Sequence, residues 1–256
     1  MTRIIAHRGF SGKYPENTLL AIKKALDIGV DWVEIDVWIT MEDNVIMIHD
    51  PTLKRTTNGK GRVFWKTMRE IKKYHTKKGN QSIPILEEVF PLIKRGTMLN
   101  IELKHMWAAR PVANLIEKYN MHNKVLISSG SINALKIMKY TIPSIKTAYI
   151  YYTSKHGKWD YFVTSIAKLF SRITHKYILM VAKALRVDYV HLSYPFATTG
   201  FIKKLHKEGY KVNIWTVNTS ALMKKLIKRK VDGIITNHPD KLKKVIKEME
   251  KNSKKK

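Results

Sequence analysis

Val33-Glu34-Ile35-Asp36-Val37 alternates carboxylates with β-branched residues. Side chains two apart on a strand share a face, so Glu34 and Asp36 point together while Val33, Ile35 and Val37 point the other way. Two neighbouring carboxylates repel unless a cation sits between them. A second run, Asn100-Ile101-Glu102-Leu103-Lys104, places Glu102 and Lys104 on one face in the same manner. Three carboxylates converging from neighbouring strands make a hard oxygen site suited to Mg²⁺ or Ca²⁺. His7 closes the apolar run that starts at Arg3, and His49 closes the run Asn44–Ile48. Two imidazoles beside a metal-bound phosphate are what acid–base cleavage of a phosphodiester requires. Arg8 and Lys104 would add fixed positive charge for the phosphoryl oxygens. Each residue also has a plainer role: Glu34 and Asp36 could pair with the abundant lysines, and Glu102 with Lys104 across one face. Their joint position at the carboxyl ends of predicted strands is what favours chemistry.

The elements that must hold these residues follow from the hydrophobic pattern. Eight Ile/Val-rich runs are predicted as strands: 3–7, 32–37, 98–103, 124–129, 146–151, 188–193, 211–217 and 232–236. Longer amphipathic stretches separate them, which is the pattern of repeated βα units. The segment 15–29 is predicted as a helix with Asn17 or a neighbour as N-cap and Gly29 closing it. Pro239 and Asp240 open the last helix well. Eight such units in 256 residues give an α/β fold, the (β/α)8 TIM barrel. The competing open, doubly wound sheet lacks a Gly-rich phosphate turn.

Two intervals exceed a plain crossover. The first predicts an insertion at about 51–84, between the second strand and a helix spanning 85–94. The second predicts an extra helical segment at about 153–174, after the fifth strand. The rest reads as one barrel domain over 1–250 with a basic tail at 251–256.

Composition bounds the partners. With no cysteine, disulfides and thiolate ligands are excluded. No apolar run is long enough to span a membrane or form a signal sequence, and the expected location is cytoplasmic. Lys and Arg outnumber Asp and Glu 48 to 20, for a net charge of +28. The lysines are dispersed as helix-face pairs, without the aromatic interleaving of a nucleic-acid module, so no nucleic-acid partner is expected.

The ordered series AHRG, PENT, EIDV, HDPTLKRTTNGKG, IPILEEVF, IELK, WTVN and DGIITNHP resembles the glycerophosphodiester phosphodiesterase family along nearly the whole chain. The resemblance implies a TIM barrel that uses a divalent cation, Mg²⁺ or Ca²⁺, to hydrolyse glycerophosphodiesters to glycerol phosphate and an alcohol. It implies Glu34, Asp36 and Glu102 as metal ligands and His7 and His49 as the acid–base pair. Arg8 and Lys104 would contact phosphate, and Trp215 would wall the substrate pocket. The same site could act on a lysophospholipid or phospholipid, and a basic barrel that binds without catalysis is a further alternative. The chain departs from the family pattern at Gly130, where many members carry Phe, and at Asn237, where Asp is usual.

The stretch 153–174 matches no family motif, and the run 155–176 has the pattern of an amphipathic helix. Trp159, Phe162, Val163, Ile166, Leu169, Phe170 and Ile173 recur at helical spacing, flanked by Lys155, Lys158, Lys168, Arg172 and Lys176. Such a stripe packs on the barrel rim, or serves as a lid that meets anionic membrane surfaces.

Overall fold

Alternation along each strand sorts the side chains into an inner and an outer set. In a computed structural model, which describes residues 1–151 and 171–253, the strands are β1 (Arg3–His7), β2 (Trp32–Ile39), β3 (Val45–Met47), β4 (Met98–Leu103), β5 (Val125–Ser129), β6 (Lys146–Ile150), β7 (Tyr189–Ser193), β8 (Lys211–Trp215) and β9 (Gly233–Thr236). All but β3 pair in parallel, and the β1–β2 pairing closes an eight-stranded barrel. The fold is therefore the (β/α)8 barrel that the pattern predicts. Each predicted strand is present to within two residues at either end.

Helices α1 (Leu19–Ile28), α3 (Ala109–Lys118), α4 (Ile132–Thr141), α5 (Ser171–Leu185), α6 (Thr199–Lys207), α7 (Ser220–Lys228) and α8 (Pro239–Ser253) surround the barrel, and the short α2 (Met68–Ile71) lies in the insertion. Thr18 caps α1 through its side chain, and Gly29 ends it in the left-handed conformation. Val33, Ile35, Val37, Ile101 and Leu103 join the outer core beneath the helices. Inside, Ile5, Trp32, Leu126, Ala148, Tyr189 and Ile235 form an apolar floor. Buried Asn100, Ser128, His191 and Asn213 make a polar set on the same strand face as the floor residues. Burial lowers His191 to about 3, so it is a neutral imidazole paired with Asn213 at 3.0 Å.

The interval after β2 is built around β3, which runs antiparallel to β2. Ile46, Ile48, Leu53, Val63, Ile71 and Ile83 give it a small core of its own. The helix predicted over 85–94 is replaced by two 3₁₀ turns, Leu86–Glu88 and Phe90–Leu92. Pro91 explains the difference, since its ring and missing N–H break a continuous α-helix there. Helix α8 continues to Ser253, which takes up part of the stretch read as a tail. Most of the segment 155–176 lies outside the described residues. Among the described residues, no helix is long and apolar enough to cross a membrane.

Gly9 shows how closely the first loop is fitted. Its φ is +73°, and a Cβ would stand 2.6 Å from the Ala21 carbonyl carbon. Gly9→Ala is expected to cost more than about 2 kcal/mol, measurable by denaturant unfolding. An unchanged midpoint would show that the loop can move aside.

Candidate active site

The carboxyl ends of β1, β2 and β4 meet at one mouth. Parallel register sets His7 beside Glu34 and Asp36 beside Glu102. Glu34, Asp36 and Glu102 each offer an oxygen lying within 4.8 Å of the others. Glu34 and Asp36 are buried to 2% and 0% exposure, and both stand among fixed partners.

Asp36 is held from three sides. Asn17 donates its amide to Oδ2 at 2.9 Å and accepts the Asp36 N–H at 3.0 Å. The Arg8 Nε lies 2.9 Å from Oδ2, and Lys104 Nζ lies 3.3 Å from Oδ1 and 2.5 Å from Glu102. Burial opposes ionisation here, but Lys104 and Arg8 prevail and hold Asp36 well below the usual carboxylate range. Glu34 is the opposite case: burial, with Asp36 and Glu102 adding repulsion, pushes it well above its ordinary value. Its Oε2 accepts the Arg8 backbone N–H at 2.9 Å, while Oε1 is buried without a hydrogen-bond partner.

These observations test whether a cation fits. Five carboxylates (Glu16, Glu34, Asp36, Asp50, Glu102) face three cationic side chains (Arg8, Arg55, Lys104) in one connected network. A divalent ion would balance the remaining charge, relieve the strain on Glu34 and give its orphaned oxygen a partner. The donor set, three carboxylates and no sulfur or imidazole, suits Mg²⁺ or Ca²⁺.

The turn that presents His7 and Arg8 is strained. Arg8 has φ 54° and Asn17 φ 55°, left-handed values that cost non-glycine residues about 1–3 kcal/mol. The turn persists because several bonds determine it together: the Arg8 N–H binds Glu34, and the Asn17 N–H binds the Arg8 carbonyl at 3.1 Å. Asn17 thus braces the first loop and also positions Asp36.

Both histidines face the mouth with fixed tautomers. His7 Nδ1 bonds Asn237 Oδ1 at 2.6 Å, and Ser11 also donates to that oxygen. His49 Nδ1 bonds Asp50 Oδ1 at 2.6 Å. With Nδ1 donating, each neutral ring carries its lone pair on Nε2. Burial and then the Arg8 charge lower His7 to about 3, and burial also lowers His49. The two partners differ: His7 leans on a neutral amide, His49 on a carboxylate.

Arg55, in the insertion, ties these parts together. It reaches Asp50 at 2.6 Å through Nε and Glu16 at 2.6 Å through a terminal nitrogen, while Glu16 also accepts from Arg8 at 2.8 Å. Against the opposing effect of burial, Arg55 and its neighbours hold both carboxylates below their usual range. Sequence reasoning passed over Arg55 and Asp50, although Asp50 directly follows His49. Arg55→Ala is expected to lower kcat about tenfold with the fold intact, the usual effect of losing an outer positioning partner. Arg55→Lys should recover only part of this, because a point charge cannot span two carboxylates as the guanidinium fork does. Unchanged kcat in both variants would remove Arg55 from the site.

His7, Arg8, Glu34, His49, Asn100, Glu102, Lys104, His191 and Trp215 line one pocket, so every site residue singled out from sequence reaches it or, as Asp36, bonds to those that do. Asn237, noted only as a departure, is the partner that orients His7.

The glycerophosphoryl diester phosphodiesterase family model matches residues 7–241. A glycerophosphodiester phosphodiesterase of Caldanaerobacter subterraneus subsp. tengcongensis is 34% identical over 94% of this chain and 96% of its own length. One from Bacillus altitudinis is 32% identical over 97% and 100%. An Oleispira antarctica phosphodiesterase, solved with its product sn-glycerol-3-phosphate, superimposes with a TM-score of 0.81 at 26% identity, covering 96% of this chain and 97% of that one. On the evidence of barrel, mouth and match together, the chain belongs to the glycerophosphoryl diester phosphodiesterase family.

Proposed function

We propose that this protein hydrolyses glycerophosphodiesters to glycerol phosphate and an alcohol, with a divalent cation and two histidines as acid and base. The observation that carries the proposal is the carboxylate group Glu34, Asp36 and Glu102, with its buried unpartnered oxygen, standing at one mouth with two imidazoles of fixed tautomer. The cation, Mg²⁺ or Ca²⁺, would be held by those three carboxylates and would supply Lewis-acid charge for the phosphoryl oxygens.

The protein's own residues do the rest. Neutral His7 accepts at Nε2 the proton of the nucleophile, the glycerol hydroxyl next to the ester oxygen. His49, neutral at rest because burial lowers it, takes up a proton on Nε2 in the reactive form, where Asp50 at 2.6 Å stabilises the charge, and delivers that proton to the departing alkoxide. Attack by the substrate's own hydroxyl closes a cyclic phosphate. Water then opens it with the two histidines exchanging roles. Arg8 and Lys104 keep positive charge beside the phosphate, and Trp215 walls the glycerol pocket.

A substrate whose glycerol lacks the neighbouring hydroxyl tests the nucleophile. Its turnover is expected to fall by at least about 10²-fold, since an effectively intramolecular attack is lost. Equal turnover would assign the attack to water.

A further inference from the structure

A second cleft, of about 240 Å³, adjoins the barrel pocket at Glu102 and Lys104. The two share His49, Glu102 and Lys104, so they meet at the carboxylate mouth. A phosphodiester has two arms, and two adjoining recesses are what it needs. The barrel pocket presents Asn100, His191 and Thr216, groups that suit a polyol. The cleft presents Trp38, Pro51 and His105, with Gly130 adding no side chain to its wall.

We propose that this cleft is the subsite for the non-glycerol substituent of the diester, and that it selects an uncharged, apolar group over an ammonium alcohol. The inference rests on the hydrolytic reading above and adds the substrate class. Its chemistry follows from what the lining groups already do. The Trp38 indole N–H donates to the His49 carbonyl at 2.9 Å. Ser129 donates to the Leu103 carbonyl at 2.7 Å, and Ser131 caps α4 by accepting the Ala134 N–H at 3.3 Å. The polar atoms of these three side chains are thus engaged inside the protein, which leaves the part of the wall they form with Pro51 and Leu103 apolar.

Charge points the same way. Among the described residues, the titratable groups lining the cleft are His49, Glu102, Lys104 and His105, and the one carboxylate among them is bound to Lys104 at 2.5 Å. An ammonium group would meet Lys104 without an acid of its own. The apolar wall also continues outward. His105 stacks on Trp38 with ring centres 6.1 Å apart, Trp107 lies 4.3 Å from His105, and Phe64 lies 4.7 Å from Trp107. Trp107 is 52% exposed, so the line of rings runs from the mouth to solvent and offers a path for a longer chain.

The test is a series of glycerophosphoryl diesters bearing methyl, butyl, hexyl and choline groups, assayed with Mg²⁺ and Ca²⁺. kcat/KM is expected to rise about fourfold per methylene, as burial of each methylene in an apolar site gives, and hexyl should exceed choline at least tenfold. Gly130→Leu, which fills the cleft, should lower the hexyl-to-methyl ratio at least tenfold. A flat series, or choline equal to hexyl, overturns the proposal, and the unsubstituted protein alone decides this if Gly130→Leu does not fold. Turnover of none of the diesters, methyl included, overturns the hydrolytic reading itself and with it the subsite. Turnover without selectivity overturns the subsite alone.

Discussion

Chelation with excess EDTA is expected to abolish diester hydrolysis, and added Mg²⁺ or Ca²⁺ to restore it. The reason lies in the imbalance at the mouth, where Glu34, Asp36 and Glu102 converge and the nearby cations do not offset all the negative charge. Glu34→Gln is the cleanest probe, because the Oε2 bond to the Arg8 N–H can persist while the charge is lost. It should weaken cation affinity by more than about a hundredfold, beyond what an outer partner commands. The same change should raise the melting temperature of the cation-free protein, since a buried carboxyl repelled by Asp36 and Glu102 is removed. That second readout does not depend on activity. Asp36→Asn should behave differently and lower stability as well, because Arg8 and Lys104 would lose their buried counter-charge. Full activity in excess EDTA, or a Glu34→Gln protein that binds cations normally, would overturn the assignment.

His7→Ala and His49→Ala are each expected to lose about 10²–10⁴-fold in kcat with the fold retained. Neither ring is part of the hydrophobic core clusters, and removing His7 leaves Asn237 still bonded to Ser11. The double variant should be little worse than the more damaged single one, because an acid and a base that act in one step are not additive. Asp50→Asn should fall between the parent and His49→Ala, since the amide still holds the ring but no longer stabilises its protonated form. Circular dichroism and thermal melting would verify folding. A variant of either histidine that keeps more than a tenth of the parent kcat would remove that ring from the chemistry.

Much of this site was legible in the sequence. The period of two along β2 and β4 forces Glu34, Asp36 and Glu102 onto faces opposite Val33, Ile35 and Ile101, whatever the tertiary fold. The eight βα repeats bring those faces to one barrel mouth, where His7 falls because it ends β1, and His49 because β3 turns back antiparallel along β2 to the level of Asp36. Local signals failed where a residue's role is set by a distant partner or by one stiff ring. Pro91 turned an expected helix into two 3₁₀ turns. Asn17 or a neighbour was expected to cap α1, and the neighbour Thr18 does, but no local signal showed that Asn17 holds Asp36, 19 positions away. Asn237 orients His7 across 230 positions, a contact that exists because β9 closes the barrel against β1. Arg55 gained its bridge, and Trp38 its place in the second cleft, when the insertion folded back over the mouth. Strand periodicity thus determined which side chains face the reaction, since it acts over neighbouring residues. Barrel closure and the packing of the insertion decided which groups hold them, because those contacts join residues the sequence keeps far apart.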